Sequence, residues 1–215
     1  MGAGLECLNP KTGIFTHYQH DPNNPDSISA NLITDIYEDD LHTLWIATWG
    51  GGLNRWDFKT QHFQHYRNDP DSIRDNRIID IYEDSHKTLW LALIGGGAAR
   101  FDRATEKFIH FSQDNDLLSK TTIHCFYEDQ HRHFWLGTIS RGLLRLDRET
   151  EAVQCYSTQE GLPSNLVSGI LEDDTGNLWI STDNGLACLN PSTEKIVNYD
   201  RHDGLTSPYF SCAPH

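Results

Sequence analysis

Short apolar runs alternate with clusters of Gly, Asn, Asp and Pro along the whole chain. The runs are rich in β-branched and aromatic residues, as in LWIAT, LWLAL, FWLGT and LWIST, which marks strands that pack on a pleated surface. No window keeps the i, i+3, i+4 spacing of an amphipathic helix. The pattern also repeats. Trp45, Trp90, Trp135 and Trp179 recur at spacings of 45, 45 and 44 residues, and the acidic pairs Glu38-Asp39, Glu83-Asp84, Glu128-Asp129 and Glu172-Asp173 keep step with them. Glycines follow each Trp run: Gly50 to Gly52, Gly95 to Gly97, Gly142 and Gly185. Then come LNRWD, AARFD, LLRLD and LACLN, and finally FQHY, FIHF, VQCY and IVNY. The opening of the chain repeats only the last two parts, as GLECLN and FTHY.

Each repeat therefore predicts four strands. Strand a precedes the acidic pair (Ile33 to Tyr37, Ile78 to Tyr82), strand b carries the Trp, strand c follows a glycine hairpin, and strand d carries the spaced aromatic pair. Four strands at this period predict an all-β fold, a β-propeller of four-stranded antiparallel blades. A partial blade of strands c and d spans 1–28, complete blades span 29–73, 74–118, 119–162 and 163–206, and 207–215 begins another. All are expected to form one propeller domain or a fragment of one. Trp45, Trp90, Trp135 and Trp179 are expected in the core between blades, where one large ring per sheet supplies the packing.

Composition narrows the function. With 215 residues, 37% hydrophobic, the chain is long enough to bury a core, and a net charge of −14 leaves no basic stripe for nucleic acid or anionic lipid. No apolar run approaches a membrane span, since Leu89 to Ala99 is broken by three glycines. The first residues, MGAGLECLNPKTG, lack a secretion signal and resemble a cut inside a longer gene. Cys7, Cys125, Cys155, Cys188 and Cys212 form no metal-ligand pairs and read as buried thiols.

The succession of ED, an LWIGT-like run, GLxRxD, FxxY and the Asn of SAN or PSN resembles the two-component-regulator propeller repeat. The resemblance implies the sensor portion of a bacterial signalling protein, such as a hybrid histidine kinase or diguanylate cyclase, facing the periplasm. It implies a kinase or cyclase output domain in the parent protein. Too few blades for a ring leave sheet faces and strand edges open, so self-association or the remaining blades of a larger propeller are expected. No nucleophile–base pair of defensible spacing is present, so no enzyme activity and no cofactor are expected.

Candidate binding residues lie in the loops expected at one propeller face, where copies that are otherwise equal differ. Trp49 follows strand b where the other repeats carry Ile94, Ile139 and Asp183. It could stack on a sugar or another flat ligand, or pack on the next blade. Arg141 could fork onto a carboxylate or stay solvated. Asp183, Asn184, Asn31, Asn76 and Asn165 complete the set, the three d-to-a loop asparagines also being suited to shape their turns. A small molecule or oligosaccharide is the expected ligand. A scaffold that binds protein on a propeller face is the alternative, and a propeller lyase or glycoside hydrolase a more distant one. The acidic pairs recur in every repeat and read as turn residues, not catalytic or calcium-binding carboxylates. The pairs His17/His20 and His62/His65 read as exposed edge residues, and His131/His133 too lacks the further ligands zinc needs.

Overall fold

The computed structural model describes residues 2–69, 72–111, 116–207 and 209–210, and these are mostly strand and turn. β1 (Leu5–Asn9) and β2 (Ile14–Tyr18) form a hairpin. Four four-stranded sheets follow, each a meander whose neighbouring strands are consecutive in sequence. The first contains β3 (Ile33–Glu38), β4 (Leu44–Thr48), β5 (Gly52–Asp57) and β6 (His62–Tyr66). The second contains β7 (Ile78–Glu83), β8 (Leu89–Leu93), β9 (Gly97–Asp102) and β10 (Lys107–His110). The third contains β11 (Ile123–Glu128), β12 (Phe134–Thr138), β13 (Leu143–Leu146) and β14 (Val153–Tyr156). The fourth contains β15 (Val167–Glu172), β16 (Leu178–Thr182), β17 (Gly185–Asn190) and β18 (Lys195–Tyr199). The sheets are β-propeller blades. Two short pieces depart from the all-strand expectation: one helical turn, α1 (Asp116–Ser119), and a 3-10 turn at Arg201–Asp203. The strand expected to begin in 207–215 lies largely outside the described residues, as does Cys212.

The chain divides into two compact units, 1–94 with 99–109, and 95–98 with 110–215. In the first, Ile28, Ile46 and Phe63 gather Leu5, Tyr18 and Trp56 between the hairpin and the β3–β6 sheet. Trp45 is joined by Tyr66 and Phe101, its ring centroid 5.1 Å from that of Phe101 in the next sheet. In the second, Trp135 packs with Leu178, Ile180, Ala187 and Leu189 of the β15–β18 sheet. In each unit one strand-b ring, Trp45 or Trp135, therefore fills the space against the following sheet.

Each acidic pair has two separate tasks. Its Glu ends strand a rather than starting the turn. Its Asp turns the chain: Asp39 Oδ1 accepts the amides of Leu41 and Thr43, as Asp84, Asp129 and Asp173 do at the equivalent places. The other oxygen accepts the indole N–H of the strand-b Trp, at 2.9 Å in all four sheets. In the second and fourth sheets the Glu reaches the preceding sheet. Glu83 Oε2 accepts the Tyr37 hydroxyl at 3.3 Å and the Asp40 amide at 3.2 Å, and Glu172 Oε2 accepts the Gln130 amide at 2.8 Å. Burial works to raise the carboxyl pKa of Asp39 and of Asp129, but the indole and amide donors outweigh it and hold both below the ordinary value. Asp173 is depressed too, chiefly by the Thr175 hydroxyl and the Asn177 amide. Carboxyls depressed when folded contribute stability that is complete above their unfolded value of 3.8 and is lost as pH falls through the folded values. The urea midpoint, read by indole fluorescence, is expected to fall steeply below about pH 4 and to stay level between about pH 5 and 7.

The glycine that opens strand c is set by a close approach. Gly52 has φ +86°, and a Cβ there would lie 2.2 Å from the Tyr66 carbonyl oxygen at the end of β6. The equivalent Gly142 has φ +79° and the same contact at 2.1 Å with Tyr156. Gly52→Ala is expected to cost about 2 kcal/mol or more, since left-handed backbone alone costs roughly 1–2 kcal/mol for an L residue. Chemical denaturation checks it.

Three expectations need correcting. Cys7 is exposed, because β1–β2 is only a two-stranded hairpin, and Cys155 and Cys188 are half-buried; Cys125 alone of the described thiols is buried. Trp179 is half-buried, whereas Trp45, Trp90 and Trp135 are at most 1% exposed. Leu171, Trp179, Cys188 and Val197 form one cross-strand row in that sheet. His65 is half-buried and bonds the Ser27 carbonyl at 2.7 Å, which holds that loop in place, whereas His17, His20 and His62 are exposed as expected, His20 also bonding the Ile28 carbonyl at 2.9 Å.

Candidate functional site

The loop asparagines carry a shared structural device. The side-chain oxygen of Asn31, Asn76 or Asn165 accepts an amide just after strand d, from His20, Asn68 and Thr158, at 2.7, 2.6 and 2.8 Å. The backbone oxygen of the same residue accepts the amide of the strand-c glycine: Gly4, Gly52 and Gly142. One residue type thus joins the d-to-a loop to the b-to-c turn. The turn is tightened again where strand b ends in Thr, because the hydroxyls of Thr48, Thr138 and Thr182 donate to the carbonyls of Gly52, Gly142 and Gly185.

On this scaffold Trp49 stands out in the first unit. Its amide closes strand a through the Leu32 carbonyl, its backbone forms a bridge with Arg77, and its side chain leaves the residue 44% exposed. Arg77 is gripped by Asp75: Nε and Nη2 donate to the two carboxylate oxygens at 2.9 and 2.6 Å, and the Arg77 amide adds a third bond. The guanidinium, through its hydrogen bonds first, holds the Asp75 carboxyl below its ordinary pKa. The exposed Trp49 indole offers a flat apolar surface, and the guanidinium–carboxylate pair of its backbone-bridge partner Arg77 offers polar donors and acceptors. Sequence reasoning missed Asp75 and Arg77. The signal was available, since Leu32, Thr122 and Leu166 stand where Arg77 stands.

In the second unit Arg141 and Asp183 are exposed at the b-to-c turns. The Arg141 amide bonds Thr138 Oγ1 at 2.8 Å, and its carbonyl accepts the Cys155 thiol at 3.2 Å. Asn184 is exposed and its side-chain amide donates to the Pro163 carbonyl at 3.1 Å, which ties that turn to the loop before strand a. Among the described residues no three His, Cys, Asp or Glu side chains converge as metal ligands, and no helix is long and apolar enough to cross a membrane.

Repeated four-stranded meanders with an Asp-anchored Trp in strand b define a β-propeller. Within it, residues 27–50 and 161–184 match the two-component regulator propeller family. A stretch of 47 residues is 45% identical to Histidine kinase P4 of Formosa agariphila, covering 22% of this chain and 3% of the kinase. Among solved structures, the extracellular domain of the hybrid two-component system BT3049 from B. thetaiotaomicron aligns with a TM-score of 0.75 at 24% identity, over 97% of this chain and 27% of that one. The extracellular domain of BT4673 from B. thetaiotaomicron gives 0.61 at 23% identity, over 95% and 36%. Virginiamycin B lyase from Staphylococcus aureus gives 0.64 at 15% identity, over 91% and 62%. At these identities the structural likenesses establish the fold. The chain spans about a quarter of the first of these structures and a small fraction of the kinase.

Proposed function

We propose that this chain is part of the sensor propeller of a two-component-type signalling protein, and that it binds a small molecule or oligosaccharide through its loop face. The observation that carries the reading is the exposed Trp49, bridged through its backbone to Arg77 of the Asp75–Arg77 pair, on a turn whose backbone repeats from sheet to sheet while its side chains do not. A rigid repeat with one unequal loop is what an asymmetric ligand needs. Arg141, Asp183 and Asn184 supply a second group of polar contacts on the other unit. Asn31, Asn76 and Asn165 contribute through the loop shape they fix. The blades, with the sequence boundaries given above, belong to one propeller of an extracytoplasmic region, and the parent protein carries the kinase output. Enzyme activity has no support of comparable weight, since the likeness to a lyase is one of fold alone.

Thermal denaturation against a panel of oligosaccharides tests the reading, because a ligand that binds the native state raises Tm by mass action. Trp49→Ala is expected to change stability by only about 0.5 kcal/mol, as an exposed substitution does, while abolishing the ligand shift. A ligand shift that survives Trp49→Ala and Arg77→Ala would assign binding elsewhere.

A further inference from the structure

The seams between successive sheets are not equal, and the difference is chemical. At the seam between the first and second sheets, Arg103 in the β9–β10 turn places its guanidinium across two carboxylates. Nη1 donates to Asp39 Oδ2 at 2.8 Å, Nη2 to Glu83 Oε1 at 2.7 Å, and Nε to the Lys87 carbonyl at 3.3 Å. Arg148 holds the same position in the third sheet, donating to Glu128 Oε1 at 2.7 Å and to the Arg132 carbonyl at 3.1 Å. The residue at that place in the fourth sheet is Pro191, which has no side-chain donor.

The consequence falls on the seam between the third and fourth sheets. Asp129 is buried there, and His133 Nδ1 lies 2.8 Å from the oxygen that also takes the Trp135 indole. His133 thereby supplies a donor where Thr43, its counterpart in the first sheet, leaves that place to Arg103. Glu172 receives no such replacement. Its Oε2 accepts the Gln130 amide, but its Oε1, the counterpart of the oxygen that Arg103 grips on Glu83, is buried with no hydrogen-bond partner among the described residues. The backbone beside it keeps the form seen beside Arg103 and Arg148: Gly176 stands where Lys87 and Arg132 stand, and all three have positive φ, at +81°, +64° and +64°. A buried carboxylate oxygen without a donor costs free energy, so a cationic donor that reaches it gains more than the same contact would in water.

We propose that the seam between the third and fourth sheets is a receptor site for an alkylguanidinium group, which Glu172 Oε1 takes in place of the arginine that the first seam carries in its own chain. The group comes either from a free small molecule or from an arginine side chain of another protein.

Methylguanidinium chloride, titrated into the isotope-labelled 215-residue chain, tests this by NMR, with sodium chloride at equal ionic strength as the blank. The Gln130 amide and the Trp135 indole N–H are expected to shift saturably at roughly millimolar probe. Glu172→Gln, which removes the charge, is expected to lose the response. Pro191→Arg is expected to lose it too, with both resonances already displaced without probe, because the arginine then fills the site from within. A Gly-Arg-Gly peptide run in parallel separates the sources: binding several-fold tighter than methylguanidinium assigns the site to a protein side chain, and equal binding to a small molecule. No saturable shift in the wild type, or a response that persists in either variant, overturns the proposal.

Discussion

Trp135→Ala is expected to destabilise the chain by about 3–5 kcal/mol, and Trp179→Ala by clearly less, although the two residues occupy equivalent places in strand b. Trp135 is fully buried and packs against Leu178, Ile180, Ala187 and Leu189, with the Tyr156 ring 5.8 Å away and the Arg145 guanidinium 5.8 Å from its centroid. Burying a ring of this size is worth roughly 4–6 kcal/mol at 25 cal/mol per Å², an upper figure because the unfolded chain already hides part of it. Truncation leaves a cavity between two sheets and takes the indole donor from buried Asp129. Trp179 donates to Asp173 at the same 2.9 Å, but its ring is half-buried, covered within its own sheet by Tyr199 at 5.3 Å. The comparison separates packing from hydrogen bonding, since the bond is common to both sites. Urea titrations followed by far-ultraviolet circular dichroism, which does not depend on the deleted fluorophores, measure it. Equal losses at both positions would mean that the Asp bond, not the seam, is what these tryptophans provide.

The same pair shows how much could be read beforehand. The period of the Trp residues revealed the four-strand repeat, because a ring that must fill each seam recurs wherever the seam does. It could not reveal which seam is covered, and so Trp179 read like its siblings. Nor could periodicity alone assign the two acids of each pair. The Asp role in the turn follows from its known habit of bonding an amide two residues on, and Leu41 and its counterparts bear that out. The indole bond lies six residues away, across a turn and a change of strand, and the Glu contact lies more than forty residues away in another sheet. Both depend on where the backbone has already been placed. At the candidate site, Trp49 was legible as the odd member of four equivalent positions. Arg77 could have been found by the same comparison, but a charge beside an Asn in a polar loop looks like ordinary solvated surface until its Asp75 partner is seen.

Arg103 offers the second large effect, and its sign with pH identifies the cause. Arg103→Met keeps most of the side-chain volume and removes the guanidinium from Asp39 and Glu83, whose side chains are 0% and 2% exposed. Breaking a buried ion pair by deleting one partner costs about 3–5 kcal/mol, because the remaining charge is stranded. Here two carboxylates are stranded together, but Asp39 retains the Trp45 indole and the turn amides, and the arginine itself is 27% exposed, so water can enter its place. The expected loss at neutral pH is therefore about 2–4 kcal/mol. In the wild type the Asp39 carboxyl is depressed in part by Arg103. Without the arginine its folded value rises, so the variant loses less stability than the wild type as acid is added. The gap between the two proteins is expected to narrow below about pH 4, where the Asp39 carboxyl can take up a proton. A loss caused by altered packing of the methionine would not change with pH. Urea midpoints of both proteins at pH 7 and at about pH 3.5 distinguish the two causes, and a gap that stays constant would remove the ion pair from the account of how the first two sheets are held together.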